Sequence, residues 1–521
     1  MDNKKKLPQI DKNDIKQCQI KFSFLILNNV NSITQIKQNI INSISKGELE
    51  QNLIRPFAWK ILLNLLPTNE ETTFLDWLKT VQNQRKIYKQ KVKQFSSIKK
   101  LKGDPLANNK EESNKVWNEV YEDSEMKKLI SLDVERTYQD RDLFCNNVIK
   151  DMEKDILFIW SKENKNPGYK QGINEILAMF LYSIYPFYVT NNHIGKYSNE
   201  ELELFSKEPK EHIKELYEFF NDENELNSDL YLMLTSLMNK GLSKFFEDKP
   251  PYENNLSNEN HNFESYLVNR CNNIVHTKLR LYDNRLYCHF NNIQLDCEII
   301  VQRWLKCLFD REFHPKDVCG FWDAILCDEF IKGSKNLEFV DYMCIAMFSY
   351  IREELVIKDQ NECFQRLFKY PPIESTKVIV DLAMKLRIEI KKKIFEEEKI
   401  QREKMEKKEK RKKEIEDKIK NINYNNVNNI EKEINGNFDK NNKNGNVIEN
   451  GMKNGVIKNA VNSNNGSNNI INDLSSFSNN INNERKNDIK ELRNIINKYK
   501  SLMDTMDCMK IDSIFLKLEN I

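Results

Sequence analysis

No stretch of the 521-residue chain is both long and apolar enough to span a bilayer: the most hydrophobic run, Ile176 to Val189, is short and contains Ser183 and Pro186, whereas a membrane helix needs about 20 apolar residues. Nor is there an excess of charge of one sign. Charged residues make up 31% of the chain, yet the net charge is only +2, so no global field draws it to nucleic acid or to an anionic membrane. The 11 cysteines include no Cys-x-x-Cys pair and the 6 histidines are dispersed, which argues against zinc and dithiol redox chemistry. Scattered, odd-numbered thiols fit a reducing compartment. Motifs of self-sufficient catalysts are missing too: there is no Gly-x4-Gly-Lys-[Ser/Thr] phosphate loop, no His-Glu-x-x-His and no Gly-x-Ser-x-Gly. The start, Met1-Asp2-Asn3-Lys4-Lys5-Lys6, has neither the glycine for myristoylation nor a signal-peptide core after it. A cytoplasmic protein is expected, with any membrane contact peripheral.

What is present is helical spacing. Few runs alternate with period two, while apolar residues recur at three and four from Ile40 onward, so the expected fold class is all-α. Pro56 falls in a first helical turn, where proline is tolerated. Helical spacing continues over Phe74 to Ile98, Lys115 to Tyr121, Glu125 to Arg136, Phe144 to Lys162 and the strongly apolar Gln171 to Tyr185, with Pro167-Gly168 as a stop before the last. It returns over Leu230 to Phe246 and Phe263 to Leu382. Phe22 to Leu27 fits either a short strand or the first turns of a helix. Composition sets the expected domains: an N-terminal extension over 1–39, a helical domain over 40–388, and a Lys/Glu/Arg-rich helix over 389–420 with too few apolar heptad positions for a sustained coiled coil. An Asn-rich stretch over 421–483 is too polar to bury a core and is expected to be disordered. Residues 484–521 recover amphipathic spacing and suit a docking helix.

Two short strings carry the chemistry. Ile130-Ser131-Leu132-Asp133-Val134-Glu135-Arg136 reads I-x-x-D-x-x-R, and Tyr169-Lys170-Gln171-Gly172 reads Y-x-Q-G. Taken singly, Arg136 is a solvated helix residue paired with Asp133, and Gln171 is a polar residue at a helix start. Taken together they supply the two side-chain types that promote GTP hydrolysis in a GTPase. A guanidinium meets charge on phosphoryl oxygens with rigid, always-ionised donors, and an amide holds the attacking water in line. Trp59-Lys60-Ile61-Leu62-Leu63 precedes both strings. Arg303-Trp304, Leu308-Phe309, Arg311-Glu312-Phe313 and then Phe321-Trp322-Asp323-Ala324 follow them. In this order, the four segments make the region from about Leu53 to Arg387 resemble the TBC domain (Tre-2/Bub2/Cdc16) of Rab GTPase-activating proteins.

The resemblance implies a two-lobed, multi-helix domain that binds a GTP-loaded Rab. Arg136 is then the arginine finger and Gln171 the glutamine finger, with Asp133 orienting the arginine. Ile130 and Tyr169 anchor their segments, and Gly172 lets the helix start approach the partner. Trp59, Trp304, Trp322 and Phe313 are expected to fill the core, and Asp323 and Arg311 to serve as a buried or interfacial ion pair. No cofactor or metal of the chain's own is implied, since GTP and magnesium belong to the Rab. Asp104-Pro105-Leu106, Trp117, Asp133 to Thr137 and Val340-Asp341-Tyr342 resemble the branch of TBC domain family member 5. That branch implies retromer or other coat components as partners and endosomal or Golgi membranes as the place of work, with the charged 190–225 segment, which suits a surface helix or two, and the 248–262 loop as candidate docking segments. The competing expectation is a non-catalytic scaffold that binds a Rab or a coat through the same fold.

Overall fold

A computed structural model describes residues 16–18, 22, 33–49, 54–96, 111–189, 197–247 and 265–441. The chain divides into two compact units, residues 1–407 and 408–521; the first contains every residue of the candidate site. In the second, the described residues 408–441 are helical. Among the described residues, extended pairing is limited to an isolated bridge between Val189 and Asp222.

Among the described residues, the longer helices include α1 (Arg55–Leu62), α2 (Phe74–Ser96), α3 (Glu111–Arg136), α4 (Asn147–Glu163), α5 (Ile173–Ile184), α6 (Leu226–Asn239), α7 (Cys297–Cys307), α8 (Pro315–Lys332), α9 (Phe339–Tyr350) and α10 (Thr376–Asn441). α5 is apolar on nearly every side and buried almost throughout. A helix of that composition has no face to give to water, so it becomes the interior around which others pack. α1, α4, α6, α7 and α8 all lie against it, while α3 lies chiefly along α4. Trp59 of α1, Phe180 of α5 and Trp322 of α8 meet with ring centroids 5.0–5.8 Å apart, each such aromatic pair contributing about 0.5–1.5 kcal/mol beyond its buried area. Trp304 sits in a second cluster with Phe348 and Tyr370, and Phe313 packs against Phe321 and Tyr370.

Buried polar groups are paired across long sequence separations. Asp323 takes the Trp59 indole N–H at 2.7 Å and the Arg55 guanidinium at 3.0 Å. Arg311 reaches Glu175 instead, Nε to Oε2 at 2.7 Å. The two residues expected to form one ion pair therefore form two, because Arg55 fills the place beside Asp323 and Arg311 faces the first turn of α5. Where α1, α2 and α6 meet, Asp229 accepts from Lys60 Nζ at 2.9 Å, from Arg85 Nε and Nη2 at 2.9 and 2.8 Å, and from the Tyr188 hydroxyl at 2.6 Å. Burial pushes the Asp229 carboxyl up, but the Arg85 and Lys60 charges outweigh it and hold it well below the usual carboxylate range. Burial also lowers the Lys60 ammonium to about 8 against the pull of Asp229.

Several element boundaries differ from those expected. α3 is one unbroken helix from Glu111, because the polar residues between Tyr121 and Glu125 include no glycine or proline. Phe144 to Lys162 instead breaks at Asn146, whose side chain caps α4 by accepting from the Val148 N–H at 2.9 Å. α10 runs from Thr376 through Asn441, beyond the expected limit near 420; Val427, Ile430, Ile434 and Phe438 keep a three-and-four spacing within the asparagines. Ile379, Ala383, Leu386 and Ile390 bury one stripe of that helix in the domain. The 103–106 and 248–262 loops, residues 190–196, nearly all of Phe22 to Leu27, the Trp117 side chain and the whole 484–521 tail lie outside the described residues. Among the described residues no helix is long and apolar enough to cross a membrane.

Candidate functional site

The site begins at the last turn of α3. Ile130, Asp133 and Val134 face inward and are buried. Arg136, the final helical residue, points outward: its side chain is 54% exposed, while that of Asp133 one turn earlier is only 11% exposed. Arg136 Nη2 donates to Asp133 Oδ1 at 2.6 Å. The position suits a cation twice, because the helix C-terminus carries the negative end of the macrodipole and the carboxylate lies one turn back. One donor of the guanidinium is thus engaged while the fork remains in solvent.

The second string is held to the first through the same carboxylate. The Tyr169 hydroxyl donates to Asp133 Oδ2 at 2.8 Å; burial, then that hydrogen bond and the Asp133 charge, raise the phenol far above its ordinary value. Gly172 has φ +108°, a left-handed conformation that favours glycine, and it is the N-cap of α5. The helix therefore starts at Ile173, and Gln171 lies in the turn before it rather than inside the helix that its spacing suggested. The Gln171 side chain is exposed and makes no hydrogen bond to another described residue.

Asn174, which sequence reasoning passed over, and Thr137, noted there only within a branch-like segment, complete the junction. Asn174, 3% exposed, accepts the Gly172 N–H on Oδ1 at 3.0 Å and donates through Nδ2 to Thr137 Oγ1 at 2.9 Å. The Thr137 hydroxyl in turn donates to the Asp133 carbonyl at 2.8 Å. A signal was available in the sequence: Asn174 is an amide at the start of a helix whose other inward positions are nearly all apolar. Beside the junction, Asp310 accepts from the Tyr138 hydroxyl, and burial pushes its carboxyl up to about 7. Ile130 stays in the core, as do Trp59, Trp304 and Trp322, and Asp323 lies in its buried pair with Arg55; none of these five shares the exposed surface of Arg136 and Gln171.

The arrangement offers one permanent cation and one neutral amide to solvent, fixed by buried groups beneath them. A cavity of about 770 Å³ lies elsewhere, against α2, lined by Lys79, Gln82, Arg85 and Tyr197 among others, and includes neither residue. Among the described residues no group of three or more His, Cys, Asp or Glu is placed to hold a metal ion.

A family profile described as the Rab-GTPase-TBC domain matches residues 52–356. The chain belongs to that family. Both strings and the tryptophan segments on either side of them fall inside the matched stretch, and the TBC domain here is all-helical among the described residues. The chain is 28% identical over 378 residues to TBC1 domain family member 5 of Mus musculus, a match covering 70% of this chain and 43% of that protein. It is 25% identical over 341 residues to the GTPase-activating protein GYP1 of Saccharomyces cerevisiae, covering 62% of this chain and 45% of that protein. The match therefore spans less than half the length of either relative. The crystal structure of the Ypt/Rab-GAP domain of Gyp1p aligns at 20% identity with a TM-score of 0.49, covering 72% of this chain and 98% of that one.

Proposed function

We propose that this chain is a GTPase-activating protein for a Rab-family GTPase and works in trans, with Arg136 as the arginine finger and Gln171 as the glutamine finger. The observation that carries the reading is that both side chains are exposed while the backbone beside each is anchored to the same buried groups, Asp133 and Asn174. Arg136 meets the charge that develops on the transferred phosphoryl group. Gln171 holds the attacking water, whose oxygen bonds to the γ-phosphorus as the bond to the β–γ bridging oxygen breaks. GTP and magnesium come with the Rab. Asp133 keeps the guanidinium aimed without burying it. Resemblance to the TBC domain family member 5 branch extends the proposal to vesicle and endosomal trafficking, with retromer or another coat complex as a further partner. The scaffold alternative has less support, since it gives no role to the tying of both exposed strings to Asp133 and Asn174.

The test is single-turnover GTP hydrolysis with a panel of GTP-loaded Rabs and the full chain. Acceleration of at least one Rab is expected, with Arg136→Ala and Gln171→Ala each abolishing most of it. Unchanged stimulation by both variants would sink the mechanism, and stable Rab binding without acceleration by the wild-type chain would favour the scaffold.

A further inference from the structure

We infer that Asn174 is a positioning residue that couples the two finger segments to each other, so that Gln171 and Arg136 are set as a pair rather than separately. The inference rests on the proposed function for its consequence in catalysis, but its geometry stands apart from that reading. One buried amide spans the two strings. Its oxygen accepts from the Gly172 N–H, the nitrogen of the peptide unit that directly follows Gln171. Its nitrogen donates to Thr137 Oγ1, on the residue that directly follows Arg136. Thr137 passes the constraint into α3 through its bond to the Asp133 carbonyl. The Tyr169–Asp133 hydrogen bond runs alongside as a second strut.

Asparagine suits this place because it presents an acceptor and a donor on one rigid plane. An aspartate is acceptor-only when ionised, so it can keep the Gly172 leg but cannot donate to Thr137. Asn174, Thr137 and Gly172 are all buried, so water cannot readily stand in for a lost partner, and a broken leg releases the turn that carries Gln171. A displacement of about 1 Å in a catalytic group costs on the order of a hundredfold in rate, which is why a side chain that touches no nucleotide can govern the reaction.

The experiment uses the full chain with Asn174→Asp, Thr137→Val and Thr137→Ser, and reads two quantities. The first is hydrogen–deuterium exchange of the free protein over 133–139 and 168–173. Asn174→Asp and Thr137→Val should speed exchange in both segments together by about tenfold while α8 and α9 stay protected, and Thr137→Ser, which keeps the hydroxyl, should largely restore protection. The second is GTP hydrolysis by the responsive Rab. The two disruptive variants should lower kcat by roughly 10- to 100-fold with KM changed less than threefold, and Asn174→Asp should add little to the loss already caused by Gln171→Ala. Exchange confined to one segment, or unchanged in both, overturns the coupling whether or not any Rab responds. Coupled exchange with an unaltered kcat, or full additivity with Gln171→Ala, overturns the positioning role. A wild-type chain that accelerates no Rab overturns the proposed function while the exchange result still decides the coupling.

Discussion

Two aspartate–arginine pairs in this domain are built from the same parts and set in opposite surroundings. At the end of α3, Arg136 meets Asp133 at 2.6 Å with 54% of its side chain exposed. Between α2 and α6, Arg85 meets Asp229 at 2.8 Å with only 7% exposed, and Lys60, Tyr188 and the carbonyls of Phe219 and Phe220 close the cluster. The difference lies in how fully the cation is used. Arg85 spends its donors inside the protein and joins three helices. Arg136 gives one donor to Asp133 and leaves more than half of its side chain in solvent. The largest expected effect follows: Arg136→Ala should lower the chain's stimulation of GTP hydrolysis by the Rab by about 10³-fold or more, yet change unfolding free energy by less than about 1 kcal/mol, as is usual for an exposed pair. Hydrolysis assays and urea melts on one preparation read both, and a large stability loss would erase the contrast.

Arg85→Ala should show the reverse. Removing one partner leaves Asp229 with a single buried cation and the Phe219 carbonyl without the Arg85 donor, while the Phe220 carbonyl keeps Lys60, a loss of about 3–5 kcal/mol. Urea denaturation should reveal it as a lower midpoint, while whatever protein remains folded keeps its full specific activity. If activity per folded molecule fell with Arg85, the cluster would belong to the site and the comparison would fail.

The contrast between the pairs also marks how far the sequence could be read. Arg136 and Gln171 could be singled out as candidates because each sits in a short string, and the all-helical class followed from spacing alone. The Asp229 cluster was not, since Lys60, Arg85, Tyr188 and Asp229 are scattered over 170 positions of chain and nothing in the neighbourhood of any one of them names the others. Asp323 shows the same limit: its partner Arg55 lies 268 residues away. Asn174 stood three residues from Gln171 and went unnoticed because its meaning depends on Thr137, 37 residues earlier, just past the end of another helix. α10 outran its expected end because asparagine content masked an apolar spacing that continues beneath it.

A third carboxylate sharpens the comparison by having no arginine at all. Glu153 of α4 is 2% exposed and its Oε2 has no hydrogen-bond partner, while the nearby Lys150 and Lys154 are engaged with Glu135. Burial pushes its carboxyl up to about 8 from an ordinary 4.5, against the opposing pull of the two lysines. Because the folded value is the higher one, its contribution to stability is fully present below about pH 4.5 and is lost as pH rises through about 8. Glu153→Gln should therefore match the wild type near pH 4.5 and become progressively more stable than it toward pH 8. At about 1.4 kcal/mol per pKa unit, about 3–5 kcal/mol is the ceiling for that gain. Thermal melts across this range check it, and a constant difference between the two proteins would show that the carboxyl is solvated.

The smallest change separates anchoring from aiming within the exposed region itself. Gly172 holds φ +108°, and an added Cβ would come within 3.4 Å of the Phe246 ring, so Gly172→Ala must either strain the backbone or rotate it toward negative φ. The stability cost should be about 1–3 kcal/mol, the usual cost of a disfavoured backbone conformation. The catalytic cost should be larger, because the peptide that strains or rotates is the one carrying Gln171 and donating to Asn174. Loss of kcat beyond the folded fraction, with Rab affinity retained, is the expected outcome from hydrolysis and binding measured in parallel. A rate that merely tracks the folded fraction would mean that the direction of Gln171 does not matter, and the proposed division of labour would reduce to Arg136 alone.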